Sequence, residues 1–182
     1  MMAWPRVKWS AAGQITQILQ WRDSAAAAEP PQQFLESLKL AGRYAECVMF
    51  LGQALPRYEV VAWAARFVRD TAQAAPASAE ANALKAALLW VQDPGESRRR
   101  AAFDAAQSAD PGRPETLAAL AAYFSGGSVA PPDCEPLPAP PDTAGRFAAG
   151  AILVAAARSA DEEPALKNAI AAGEALAAGE AV

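Results

Sequence analysis

The 182-residue chain has no histidine, and Cys47 and Cys134 are its only cysteines. Lack of imidazole removes the commonest general base, the commonest zinc ligand and the partner needed by a Ser-His or Cys-His nucleophile. Cys47 lies between Glu46 and Val48 in an apolar stretch, where burial keeps a thiol inert. Cys134 lies among prolines with no adjacent cation to favour the thiolate. Two unpatterned cysteines read as free thiols in a reducing compartment. The carboxylates Glu46, Glu59, Asp93, Glu96, Asp104 and Asp110 are scattered without a pairing motif, as solvated helix faces and caps would be. Asp161-Glu162-Glu163 reads as acids in a first helical turn, favoured by the macrodipole, and lacks the ligand spacing of a calcium loop. No catalytic residue, cofactor or metal site is expected, and the chain reads as a non-enzyme.

Binding chemistry has better candidates. Arg98-Arg99-Arg100 spans almost a full helical turn, so the three side chains should point in different directions, with Glu96 and Asp104 as local partners. Alternatively they anchor an acidic partner, since arginine and tryptophan are enriched at binding hot spots. Trp4, Trp9 and Trp21 are candidates for an exposed docking surface, with core packing as the competing fate. Ser125-Gly126-Gly127-Ser128 is glycine-rich, but no lysine follows and prolines do, so it fails as a phosphate loop. It reads as the end of a helix entering an extended segment.

The elements that would position these groups are helical. Hydrophobic residues make up 53% of the chain and charged residues 20%, a globular balance. Alanine dominates the apolar share, and alanine favours helices while filling little core volume. Closely packed helices anchored by a few large residues follow. Period-two runs of β-branched residues are missing, so strands have no support. The formal net charge is −4 and the pI about 4.9, unlike the basic excess that nucleic-acid binders use against phosphates. A membrane-surface role is disfavoured for the same reason. The first nine residues lack the apolar stretch of a signal peptide, and the longest apolar run, 147–157, is too short to span a bilayer. A cytoplasmic location is expected.

Helical spacing predicts helices over 10–21 with Ser10 as N-cap, 31–40 stopped by Gly42, 43–54, and 56–74 with Val60, Trp63, Ala64, Phe67, Val68 and Thr71 on one face. It predicts a fifth from Ser78 to about Val91 with the stripe Leu84, Leu88 and Val91. A sixth should be capped by Asp93, with Pro94 at its first position and Glu96 closing a variant capping box. Helices starting at Pro114 and at 142–143, and a weaker one over 161–178, complete the set. Residues 125–142 contain six prolines and should form an extended, partly polyproline-like strap. The expected fold is all-α: one domain over 1–182, a compact bundle of about seven to nine short antiparallel helices stacked as hairpins. Its N-terminal segment covers 1–30, its proline-rich strap 125–142, and 179–182 should fray.

Three stretches together resemble a known family: Leu55-Pro56-Arg57-Tyr58-Glu59-Val60-Val61-Ala62-Trp63; Trp90-Val91-Gln92-Asp93-Pro94 with Arg98-Arg99-Arg100-Ala101-Ala102-Phe103; and Phe124-Ser125-Gly126-Gly127-Ser128-Val129-Ala130-Pro131-Pro132. The likeness, over about residues 40–157, is to an uncharacterised family of small helical bacterial proteins associated with type VI secretion gene clusters. The last stretch is the most specific. The first departs from the family pattern, which carries a second tryptophan where this chain has Ala62 or Ala64. The resemblance implies no activity. It implies an adaptor or chaperone that binds a secretion component or effector, with an immunity protein for a co-encoded toxin as the alternative and a small-ligand-binding protein after that. The expected contact residues are Trp63, Trp90, Arg98, Arg99, Arg100, Ser125, Gly126, Gly127, Ser128, Pro131 and Pro132. The partner is expected to be another protein, with neither nucleic acid nor membrane involved, and an alanine-rich surface leaves room for a homodimer.

Overall fold

The computed structural model describes residues 4–22, 28–72, 75–131 and 133–180. Nine helices run through them: α1 (Ala12–Ile18), α2 (Pro31–Leu40), α3 (Tyr44–Ala54), α4 (Arg57–Thr71), α5 (Ser78–Gln92), α6 (Glu96–Gln107), α7 (Pro114–Phe124), α8 (Thr143–Ala157) and α9 (Glu162–Ala177). The described residues contain no strand, only one isolated antiparallel bridge between Ser128 and Pro138. The all-α expectation is met. The last two residues of the fraying tail lie outside the described residues, as does Pro132.

Prolines mark the helix starts. Pro31 and Pro114 occupy the first turns of α2 and α7, where a missing N–H costs no hydrogen bond, and Pro56 precedes α4. Two expected caps are corrected. Ser10 does not cap α1. Instead Gln14 reaches back, and its Oε1 accepts from the backbone N–H groups of Ser10 at 3.0 Å and Ala11 at 3.2 Å. Asp93 ends α5 rather than starting α6, whose N-cap is Gly95. The Asp93 carboxylate instead accepts from Arg98 Nε at 3.1 Å, so the expected capping box does not form.

One hydrophobic cluster draws on all nine helices. The centre of the packing is α8, which touches α3, α4, α7 and α9. Its partners α3 and α4 are consecutive, yet both pack chiefly on this helix from far downstream, which departs from a plain stack of sequential hairpins. Small residues permit this approach. Gly52 of α3 and Gly145 of α8 meet backbone to backbone: a Cβ on Gly145 would collide with the Gly52 carbonyl oxygen and lie 2.7 Å from Gln53 Nε2. Ala118, Ala119, Ala121 and Ala122 of α7 and Ala148, Ala151 and Ala155 of α8 are likewise buried where those helices pack.

Periodicity placed two faces only in part: Val60, Trp63, Ala64 and Val68 of α4 and Val91 of α5 are buried as expected, and the rest differs. In α4 every residue from Val60 to Ala65 is buried, because α5, α7, α8 and α9 surround it; Phe67 and Thr71 are only half-buried. In α5 the buried face is Glu80, Ala83, Ala87, Trp90 and Val91. Leu84 and Leu88 are half-buried beside exposed Leu89. Packing against α6 and α7 selects the alanine side, whose small residues allow closer helix contact.

Candidate functional site

The residues after α7 form the candidate site, and α6 supplies the groups that hold them. Arg99, Ala102 and Ala106 make up the buried side of α6, a spacing that turns the Arg99 side chain inward. Arg99 is only 3% exposed. Its Nε donates to Glu96 Oε2 at 2.7 Å and its Nη2 to Glu96 Oε1 at 2.8 Å, a two-pronged pair. Nη1 donates to the Tyr123 carbonyl and Nη2 also to the Ser128 carbonyl, each at 2.7 Å. The guanidinium carbon lies 4.8 Å from the centre of the Tyr123 ring, within cation–π range, and Phe103 stacks on that ring at 4.2 Å.

Arg100 joins the same clamp. Its Nε donates to Glu96 Oε1 at 2.7 Å, and its Nη2 to the carbonyls of Ala130 at 3.1 Å and Ser128 at 3.3 Å. The expected divergence of the three arginines is therefore corrected for two of them: Glu96 and the Ser128 carbonyl gather Arg99 and Arg100. Both guanidinium groups donate to Glu96, Arg99 foremost, and hold its carboxyl down at a pKa of about 2, against a smaller opposing effect of burial. Arg99 is itself raised, by Glu96 first.

The clamped segment is ordered by its own hydrogen bonds. Tyr123 Oη donates to the Val129 carbonyl at 3.0 Å. Ser128 Oγ accepts from the backbone N–H groups of Ala130 and Leu137, and Val129 N–H donates to the Leu137 carbonyl at 2.8 Å. These bonds bring residues 128–130 and 137–138 together at the base of a short loop. Gly127 has φ +65°, and a Cβ there would stand 2.9 Å from both Arg99 Nε and Glu96 Oε2. Glycine is thus required twice over, by backbone conformation and by the ion pair beneath it. At the far end, Gln53 Nε2 donates to the Asp142 carbonyl at 3.0 Å. Between these anchors Pro131 and residues 133–138 are exposed, and Leu137 keeps 59% of its surface in solvent.

The expected contact residues thus fall into three groups. Ser125, Gly126, Gly127 and Ser128 with Arg99 and Arg100 form the base of the loop, and Ser125 is itself buried. Pro131 and Arg98 face solvent in whole or part. Trp63 and Trp90 are buried in the core: Trp63 Nε1 donates to the Ala169 carbonyl at 2.9 Å, tying α4 to α9, and Trp90 packs against Tyr58. Trp4, Trp9 and Trp21 are each half-buried against the main cluster.

A second polar spot escaped the sequence reading. Glu115 Oε2, Arg113 Nε and Thr116 Oγ1 are buried without a hydrogen-bond partner, the first two 3.9 Å apart. A cavity of about 190 Å³ adjoins Arg113 and Glu115, lined also by Thr71 and Arg158. Its lining holds one carboxylate and no cysteine, too little for paired acid–base work. The only sequence signal was an acid in the first turn of α7, which the helix dipole explains equally well.

Residues 34–177 match a family described as a family of unknown function, DUF6931. The chain belongs to that family. The DUF6931 match takes in the clamp, the loop and helices α3 to α9 whole, and extends the likeness read from the sequence at both ends. No curated protein and no solved structure matches the chain.

Proposed function

We propose that this chain is a non-catalytic protein-interaction module whose contact surface is the outer part of the loop 125–142. One observation carries this reading: the loop exposes prolines and Leu137 at its tip while buried Arg99 fixes its base. A surface ordered before binding loses little conformational entropy on docking, which favours affinity. Prolines add stiffness, a feature that peptide-recognition grooves exploit. Arg98, part-exposed beside the loop-bearing side of α6, extends the surface.

Resemblance of the three quoted stretches to proteins associated with type VI secretion gene clusters supports an adaptor or chaperone role in such a system, in the cytoplasm. No helix among the described residues is long and apolar enough to cross a membrane, and the acidic net charge of −4 disfavours nucleic acid. The test replaces residues 133–137 with a Gly-Ser linker, leaving Ser128 to Ala130 and the clamp intact. Capture of a secretion component or effector at near-equal stoichiometry by the natural protein, lost in the replacement with helicity unchanged, is the expected result. Equal capture by both proteins refutes the assignment.

The acidic charge also suits an immunity protein that blocks a basic toxin, because complementary charge speeds association. Protection of cells from one co-encoded toxin, with no secretion component bound, selects that role over the adaptor.

A further inference from the structure

The chain before α1 reads Trp4-Pro5-Arg6-Val7-Lys8-Trp9, cations alternating with apolar residues. Two hydrogen bonds lay it across the helices. Arg6 N–H donates to the Ala177 carbonyl at 3.2 Å, and Trp9 Nε1 donates to the Gln53 carbonyl at 2.9 Å. Beneath it the end of α3 and the starts of α4 and α8 leave a cleft of about 690 Å³, well within the size of small-molecule sites.

The cleft is amphipathic. Trp9, Ile18, Leu55 and Val60 supply apolar walls, while Arg6, Lys8 and Arg57 supply charge. Asp142 is the one acid in the lining, and Arg146 already holds it, with Nε 2.6 Å from Oδ2. Glu59 stands 3.6 Å from Arg6 at the rim. Lys8 has its ammonium 4.4 Å from the centre of the Trp9 ring, a contact that leaves its donors available. Positive charge is thus in excess here, on a chain whose net charge is −4. The first turns of two 15-residue helices, at Arg57 and at Ala144 and Gly145, also border the cleft. Their N–H groups add partial positive charge of the same sense.

We propose that this cleft binds a small amphipathic organic anion. Its carboxylate or phosphate head lies among Arg6, Lys8 and Arg57, and its apolar body lies along Trp9, Ile18, Leu55 and Val60. Arg57 Nη1 also donates to the Ser125 carbonyl at 3.4 Å, and Pro141 and Asp142 border the cleft, so the site adjoins both ends of the loop 125–142 but not its exposed tip at 133–138, on which the protein-binding role rests.

Calorimetric titration of the full chain with octanoate, octyl phosphate and octanol tests this. At least one anion should bind at one site, the tighter of the two naming the head group, and octanol should bind at least about tenfold more weakly. Amide shifts on binding should centre on residues 6–9, 52–60 and 141–145. Lys8 is exposed, so Lys8→Glu should keep the melting temperature while weakening the anion about tenfold, as reversal of one solvent-accessible ion pair would. Arg57→Glu should act in the same direction. The proposal is overturned if neither anion binds, if octanol binds as tightly as the anions, or if both variants keep the natural affinity. Binding of an apolar hexapeptide with a free C-terminal carboxylate, where octanoate fails, overturns it in favour of a peptide site.

Discussion

Replacing Arg99 with alanine is the sharpest test of the clamp. The substitution removes four hydrogen bonds: two to Glu96 and one each to the carbonyls of Tyr123 and Ser128. Glu96 keeps 54% of its side-chain surface in solvent, so it rehydrates and retains Arg100, and its loss is small. The cost falls on the two carbonyls. Tyr123 is buried, and an acceptor stranded there forfeits about 1–3 kcal/mol, with a smaller share from half-buried Ser128. The stem of Arg99 also leaves a gap against the Tyr123 ring. Together these give about 3 kcal/mol, or a fall of about 6–12 °C in melting temperature for a chain of this length. The loss should also be local. Hydrogen exchange at the Val129 and Leu137 amides, which depend on the clamped loop, should accelerate far more than exchange in α8. Arg99→Lys should recover less than half of the stability, since an ammonium cannot span the same acceptors as a planar fork. A melting temperature within about 1 °C of the natural protein's, with unchanged exchange at those two amides, would falsify the clamp.

Acid should loosen the same loop. The Glu96 pKa is lowered on folding, so its contribution is complete above the ordinary carboxylate value of 4.5 and is lost as pH falls toward about 2. A pH series of melting curves should show Glu96→Gln flattening that limb, only in part because the group is half-exposed; an unchanged limb would remove Glu96 from the account. Burial above all pushes the Cys47 thiol up to about 12, whereas Cys134 is exposed. A thiol reagent at neutral pH should therefore modify one cysteine in the folded protein and two in denaturant, and rapid modification of both without denaturant would contradict the burial. Gly145→Ala should cost about 3 kcal/mol or more, because its methyl meets the Gly52 backbone rather than a side chain able to move. A variant as stable as the parent in urea would mean that α3 and α8 are not so closely apposed.

Features encoded by neighbours along the chain were the legible ones. Prolines announced the starts of α2, α4 and α7, and the six prolines after residue 125 excluded helix there. Glu96 stands one turn before Arg99 and Arg100, so that pairing could also be read. The rest of the clamp could not. Its acceptors are the carbonyls of Tyr123, Ser128 and Ala130, and a carbonyl belongs to every residue. The burial of Arg99 was hidden for the same reason: its partners lie on another helix and the loop beyond it.

Helical composition, acidic charge and the lack of histidine were settled by residue type alone, because propensity and ionisation are local properties. Which face of a helix is buried was not. In α5 periodicity favoured Leu84 and Leu88, yet packing took Ala83 and Ala87, since close contact rewards small surfaces and a hydrophobic count cannot register that. The cationic cleft likewise exists only after folding. Its walls come from residues 6–9, 52–60 and 141–145; the close approach of α3 and α8 at Gly52 and Gly145 joins the last two, and the hydrogen bonds of Trp9 to Gln53 and of Arg6 to Ala177 hold the first in place.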